Sequence, residues 1–498
     1  MEESQTVVVI GGGLGGLSAA ISLRQRGFDV TLYEKNTHFG GKLNRHEQDG
    51  FGFDLGPSLL TMPHVFERLF TGSGKAMDDY VQIEEIPLQW RAFFPDDSHI
   101  DLYGNLQKMA EENPQFGKED MSDYRNFLEY AKKIDRTTVP GYFEKGLDDL
   151  KDVLRFHGPI EAFKGFDYPS TMQHGINKRV KNPHMRDMLG YFIKYVGSSS
   201  YRAPAVLNMM AHMQHEQGVW YVKGGLHRLA EGITQLARDI GIKLYTGVSV
   251  ETALTDGQNN IETLLLNDGS RIEADYYVSN MEVLPFYRHV LDRMPKKFEK
   301  LEKQFEPASS GLVLHLGVNR KYPQLRHHNF FFSNDSKRNY EEVFEKKIIP
   351  GDPTIYVVNT NKTDPSQAPE GYENLKILPH IPPLQQEQYT KEDYMNFRST
   401  VLEKLESMGL ENLRNHIVTE YMLTPHDIEK MYNSDHGAIY GTVSDKKKNK
   451  GFKHPKKDRE IGNLYFVGGT VNPGGGMPMV TLSGQQVGRM ISESADRE

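Results

Sequence analysis

The chain is 498 residues long and contains no cysteine. That absence removes disulfides, thiolate nucleophiles, iron–sulfur clusters and cysteine-ligated zinc from consideration, and it fits a reducing compartment. Long apolar runs are also missing. No window approaches roughly eighteen uninterrupted apolar residues, so no helix is expected to cross a bilayer. The opening residues, MEESQT, are acidic and lack the basic stretch and apolar core of a secretory leader, so none is expected. Positive charge is not in excess: the formal net charge is −8, which argues against a nucleic-acid partner. No internal repeat or long low-complexity linker divides the chain.

What remains is an ordinary folded composition, 38% apolar and 25% charged. The length exceeds one comfortable core, so two domains are expected. Thr6–Ile10 is a β-branched run suited to a buried parallel strand, and a helix is predicted from about Leu14 to Arg26, stopped at Gly27. A second strand follows in FDVTLYE (28–34), which completes a βαβ unit. Residues 64–200 read as mainly helical, for example SDYRNFLEYAKKI (122–134). Residues 224–254 read as a helix ended by Gly241 and followed by strands, and SRIEADYYVSN (270–280) continues the strand pattern. Between 309 and 380, SGLVLHLGV, HNFFFS and TIYVVNT suit an antiparallel sheet. A last strand in IGNLYFVGG (461–469) leads to a helix over 479–496.

Gly11, Gly13 and Gly16 form G-x-G-x-x-G between the first strand and helix. Glycine there permits a tight turn, close approach of backbone to a pyrophosphate, and close helix–strand packing. The helix N-terminus then offers free N–H groups and partial positive charge. Glu34, 18 residues after Gly16, ends the second strand where a carboxylate accepts from a ribose 2′-hydroxyl and disfavours a 2′-phosphate. The motif in this setting points to FAD or NAD rather than NADP. A glycine turn that merely packs a helix onto a sheet is the alternative. A second G-x-G-x-x-G in a βαβ setting is absent, so stoichiometric reduction by nicotinamide is not expected. A flavin here would be reduced by substrate and reoxidised by oxygen or a quinone.

Glu34 together with Gly40–Gly41–Lys42 and FDLGPS (53–58) resembles the FAD-binding region of the amine oxidase and carotenoid desaturase superfamily. Over nearly its whole length the chain resembles the bacterial carotenoid desaturase-like flavoproteins. The resemblance is carried by VIGGGLGGLSAAI, NRHEQDGFGFDLGPSLLTMP, RDMLGYFIKYVGSSSYRAPAVLNMM, FEPASSGLVLHLGV, DKKKNKGFKHPK and the C-terminal glycine loop. It implies an α/β fold, with a Rossmann-like FAD-binding domain interleaved with an α+β substrate domain. Residues 1–75, 220–285 and 455–498 would form the first, and 76–219 and 286–454 the second. It implies FAD contacts from Gly11, Gly13, Gly16, Glu34, Gly41, Lys42, Gly56, Val250 (backbone, beside the adenine), Gly469, Thr470 and Met479. Lys42 stands where arginine is common, so it would meet a phosphate as a point charge; a solvated surface lysine is the alternative. The implied substrate is a long apolar polyene, and the implied reaction is oxidation of a terminal methyl of a C30 carotenoid to the aldehyde. A desaturase of the same family, an amine oxidase and a flavin-less lipid chaperone are the rivals. No catalytic acid or base stands out, and no catalytic residue is assigned.

Other clusters carry weaker signals. His212, His215 and Glu216 in HMQHE lack the order and third ligand of a metal site, and a half-buried helix is expected instead. His327–His328 reads as a strand start. Met209, Met210 and Met213 with Trp220 and Tyr221, and the strand NFFFS (329–333), either line a tunnel for an apolar ligand or form ordinary core. KKKNKGFKHPKK (446–457) holds seven lysines around Phe452. It reads as a solvated loop, or as a basic loop with an apolar tip that touches anionic lipid, at about 1 kcal/mol per lysine. The expected location is cytoplasmic, with a peripheral membrane contact at that loop as a second possibility. In LYFVGGTVNPGGGMPMVTLSGQQVG (464–488) the glycines lack a βαβ setting and a ribose acid, so a second nucleotide site is not expected. In the resembled proteins this segment runs along the flavin, with Gly469–Thr470 near the pyrophosphate and ribityl chain. The final helix then points at the ring, and Gly474–Gly476 would let the backbone pass close to it.

Overall fold

The computed structural model describes residues 4–385 and 389–497; the first residues of MEESQT lie outside this range. Five parallel strands form the nucleotide sheet, in the order 464–466, 276–279, 6–10, 29–34, 243–246. Thr6–Ile10 is central, with Val8 opposite both Tyr277 and Thr31. A strand flanked on both edges and covered on both faces needs an uninterrupted apolar run, and Val7, Val8, Val9 and Ile10 supply it. The first helix, Leu14–Arg24, ends short of the predicted Arg26: Arg24 is spent on the Ile240 carbonyl at 3.0 Å, and Gly27 turns the chain at φ +91°. A small sheet of strands 250–255, 261–266 and 271–272 packs on the opposite face with the Val283–His289 helix.

The last helix, Met477–Ala495, lies directly against the first. Gly484 and Gly488 make this approach possible: a Cβ on Gly484 would stand 2.6 Å from Gly15 O, and one on Gly488 2.7 Å from Ser22 Cβ. Ser18 Oγ donates to Thr481 O at 2.6 Å across the seam. N- and C-terminal segments thus complete one sheet-and-helix unit.

The second large sheet runs 417–423, 313–318, 373–381, 355–358, 328–331, 88–93, 99–103, with Ser310–Gly311 paired beside 373–381. The strands from 310 to 381 are antiparallel neighbours, as their alternation suggests. The pair 88–93 and 99–103 departs from the helical expectation for residues 64–200, and 88–93 joins 328–331 in parallel. Gln89 and Arg91 disguise this strand as polar, but Arg91 is neutralised by a fork of two hydrogen bonds to Asp101, at 2.7 and 2.6 Å. Trp90 is fully buried and packs on Phe192 and Phe330, and Phe330 stacks on Tyr356. The NFFFS strand is therefore core, not tunnel wall. Helices 118–138, 150–164, 172–177, 183–191 and 209–217 form a cap beside this sheet. Among the described residues no helix is long and apolar enough to cross a membrane.

Candidate active site

The first glycine loop is shaped for a ligand that meets backbone. Gly11 turns at φ +94°, and a Cβ on Gly16 would lie 2.0 Å from Gly11 O. Gly13 begins the helix without any side-chain cap. The N–H groups of Leu14 and Gly15 in the first turn are thus left to a phosphate. Gly16 N donates to Asn280 Oδ1 at 3.0 Å. Asn280 follows strand 276–279 and ties the loop to a segment 264 residues away, a contact sequence reasoning missed.

Glu34 is buried, and both its oxygens are used. Oε2 accepts from Gly12 N at 2.7 Å and Oε1 from Asn36 N at 2.8 Å. The carboxylate therefore shapes the loop itself, and each oxygen retains a lone pair for a ribose hydroxyl. Gly40 N donates to Gly12 O at 2.8 Å, and Gly41, at φ +58°, would place a Cβ 3.1 Å from Gly13 Cα. The two glycine turns are zipped together. Gly56 backs the same turn, since a Cβ there would overlap Lys42 O at 1.7 Å.

Lys42 is not a solvated surface lysine. Its Nζ donates to Ile439 O at 2.8 Å and Ala438 O at 3.3 Å, and lies 3.8 Å from Glu282 Oε1. Burial lowers the Lys42 pKa, with Glu282 opposing, and burial pushes Glu282 up to about 7, with Lys42 pulling it back. The pair joins the nucleotide loop to the segment at 438–441, and neither Glu282 nor that segment was foreseen. The structure brings Val248 to Glu34, by a 3.0 Å bond from Val248 N to Glu34 O, whereas Val250 begins a ladder opposite Leu266.

Gly469 and Thr470 follow the outer strand of the nucleotide sheet. Thr470 Oγ1 accepts from Val283 N at 3.2 Å, so this side chain caps the Val283–His289 helix, and the Thr470 carbonyl accepts from His454 N at 3.0 Å. Gly475 is constrained by the protein's own chain: a Cβ there would lie 2.6 Å from Tyr440 O. The close approach expected toward a flat ring is thus already required by Tyr440. Met479 sits in the first turn of the last helix and lines a large apolar cavity with Pro473–Gly476 and Pro478.

That cavity measures about 1480 Å³ counted out to its open end. Met209, Met210 and Met213 line it, with Met62, Tyr142, Leu147, Val206 and Leu207. Trp220 and Tyr221 do not join them; they pair with residues 84 and 85 and pack into the nucleotide half. Thioether side chains on one wall suit a long ligand of variable curvature. One buried cation interrupts the apolar lining. Lys453 Nζ donates to Thr442 O, and its Cε lies 3.3 Å from where a Cβ on Gly474 would stand. No carboxylate pairs with it among the described residues, and burial lowers its pKa to about 7.

The lysine-rich segment is not a solvated loop with an outward tip. Phe452 turns inward, packs with Leu147, Val153, Ala162 and Phe166, and lines the cavity. Lys446 reaches Pro169 O, Lys448 pairs with Glu306, and Lys456 is fully buried against Asp148. Lys447, Lys450 and Lys457 remain exposed. His212 is buried on the 209–217 helix and His215 is half-buried. His327 and His328 are buried and bond Thr363 Oγ1 at 2.6 Å and Tyr356 Oη at 2.7 Å. Burial drives both imidazoles toward the neutral form, His327 to a pKa of about 3.

A glycine cradle with an uncapped helix end, a ribose-side carboxylate, and an apolar cavity floored by a second glycine loop define a flavin-dependent oxidoreductase. The chain belongs to the family described as flavin containing amine oxidoreductase, whose match spans residues 14–491, and it uses FAD. It is 57% identical, over 98% of both chains, to the 4,4′-diaponeurosporene oxygenase of Staphylococcus aureus. Solved structures share the fold: an oxidoreductase from Methanosarcina mazei (TM-score 0.61, 16% identity, 99% of this chain and 100% of that one) and putrescine oxidase (TM-score 0.64, 13% identity, 99% of both).

Proposed function

We propose that the chain oxidises a terminal methyl group of the C30 polyene 4,4′-diaponeurosporene to the aldehyde, as a step in carotenoid pigment formation. The observation that carries this reading is the methionine-walled cavity ending on the Gly474–Gly476 and Met479 floor, in a chain so similar to an oxygenase of that name. FAD, when bound, supplies a two-electron acceptor. The residues proposed to hold it are Gly11, Gly13, Gly16, Glu34, Gly41, Lys42, Gly56, Val250, Gly469, Thr470 and Met479, with Asn280 and Val248 added by their bonds to the loop and to Glu34. The N-terminus of the last helix directs partial positive charge to the cavity floor, where negative charge would gather on reduction. The apolar walls exclude water and hold the polyene end against that floor. A hydrogen beside conjugated double bonds leaves easily because the charge left behind spreads along the chain. Methyl to aldehyde removes four electrons, two in each of two oxidations, and takes its oxygen atom from dioxygen or water; oxygen or a quinone is proposed as the final acceptor. We assign the nucleotide sheet and the larger antiparallel-rich sheet to two interleaved domains with the boundaries given above.

The apolar lining of the cavity favours a polyene over a small amine. The intact glycine loops weigh against a flavin-less chaperone. A desaturase would share the cavity, so the test is chemical. Holoenzyme incubated with 4,4′-diaponeurosporene should give a product that gains oxygen at one end, read by mass spectrometry under labelled dioxygen. A product that only loses hydrogen would instead establish desaturation. A substrate of this kind dissolves in bilayers, so we also propose that the protein works peripherally at a membrane surface.

A further inference from the structure

The Leu150–Lys164 helix separates the cavity from solvent. Its inner residues Leu150, Val153 and Ala162 line the cavity, while Phe156 is 47% exposed and Ile160 72%. Ile160 is the most exposed large apolar side chain among the described residues. Gly158, at φ +76°, and Pro159 break the helix between the two, so each half offers one apolar side chain to water. Isolated apolar side chains on a surface need no account. Two on one segment, whose inner face lines an apolar cavity, do.

Charge distinguishes what would cover them. Lys151, Arg155 and Lys164 are exposed on this helix. Lys447 and Lys450 are exposed on the neighbouring segment, whose Lys450, Gly451 and Phe452 also line the cavity. Against these stand Asp152, 3.7 Å from Arg155, and the exposed Glu161. Asp148 and Asp149 are engaged by Lys456 and by the helix's own N–H groups. The cavity rim is thus locally cationic in a chain of net charge −8. An apolar tip ringed by lysine and arginine matches an anionic bilayer, whose surface potential attracts the cations and whose acyl boundary accepts the side chains.

We propose that the 150–164 helix and the 446–452 segment dock the protein on an anionic phospholipid surface, with Phe156 and Ile160 entering the acyl boundary. The cavity then opens onto the bilayer, and a polyene enters without crossing water. This deepens, and rests on, the polyene reading above.

The only native tryptophans are Trp90, buried, and Trp220, half-buried, so an introduced tryptophan reports on the surface. In Ile160→Trp holoenzyme, phosphatidylglycerol-containing vesicles should shift the added emission to the blue, and brominated acyl chains should quench it. The Met294→Trp protein, altered at a position 51% exposed just beyond Asp292, which accepts from Thr255 N of the small 250–272 sheet, should not respond. In flotation assays Phe156→Asp/Ile160→Asp should lose vesicle binding at least ten-fold, with flavin absorbance and turnover of micelle-delivered substrate unchanged. Wild-type flotation by that double variant, no response of the Ile160→Trp emission to vesicles, or a blue shift before lipid is added would overturn the docking surface. Equal binding to pure phosphatidylcholine would overturn the anionic partner. Vesicle binding is read without polyene, so docking by a protein that leaves the polyene unoxidised would overturn only the catalytic reading.

Discussion

The two glycine-rich loops use the same residue under opposite constraints. At Gly11–Gly16 the backbone turns at the start of the first helix, Tyr33 O, Glu34 and Asn280 hold the N–H groups of Gly11, Gly12 and Gly16, and those of Leu14 and Gly15 stay open. At Gly474–Gly476 the backbone is pressed against Tyr440 and faces a buried ammonium, Lys453, rather than a carboxylate. The first loop is the one we propose to receive phosphate. The last lines an apolar cavity, and the charge beside it has the opposite sign. Glycine alone therefore says little; what each glycine leaves room for separates a nucleotide site from a floor.

The sharpest way to break this contrast is Gly16→Val. The new side chain would displace Gly11 O, 2.0 Å from its Cβ, and open the turn. Nearly all bound flavin should be lost, at least ~10-fold, as read from the absorbance of the purified protein. Gly257→Ala, with nothing within 4 Å, should keep it. Retained flavin in the first variant would return the loop to a packing role.

Next in size is Lys453→Met, which removes a buried charge and should stabilise the protein at pH 6 by about 1–4 kcal/mol. The folded-state pKa of about 7 lies below the ordinary 10.5, so the unfolded chain holds the extra proton between these values. Wild-type stability should therefore rise with pH from about 7 toward 10, by at most ~1.4 kcal/mol per unit for this group. Urea midpoints across pH 6–9 should rise less steeply in the variant, because one of the lysines whose pKa burial lowers, a set that includes Lys42, Lys194 and Lys376, no longer contributes. An unchanged slope would mean that Lys453 is not the buried cation described.

The smallest effect is expected for Gly475→Ala, whose Cβ would meet Tyr440 O at 2.6 Å. Overpacking of this kind costs about 1–3 kcal/mol, and the thermal midpoint should fall with flavin still bound. A wild-type midpoint would show that the last loop is free of its neighbour.

The nucleotide half is legible in the sequence because its signals are local. Val7–Ile10, the glycine spacing and Glu34 fall within one βαβ unit, where each residue type has a single physical use. What escapes is what folding brings from afar. Asn280 and Glu282 carry no spacing relation to Gly16 or Lys42, and only the strand ending at Ser279 delivers them. The 88–103 hairpin is hidden because Arg91 and Asp101 look polar apart and are neutral together. Phe452 is read outward because the lysines around it suggest solvent. In the fold Asp148, Glu306 and the carbonyls of Thr442 and Pro169 take several of those lysines and leave the ring facing in.

The seam between the first and last helices also has a consequence for how the protein is made. Gly15, Ser18 and Ser22 emerge from the ribosome more than 450 residues before Thr481, Gly484 and Gly488, the residues they pack against. At roughly 5–20 residues per second, the first helix waits on the order of half a minute or more with that face uncovered. The outer strand 464–466 arrives equally late. The nucleotide sheet is thus completed only after residues 464–495 have been made, and a nascent chain cut short before them lacks its outer strand and the helix that covers Ser18 and Ser22.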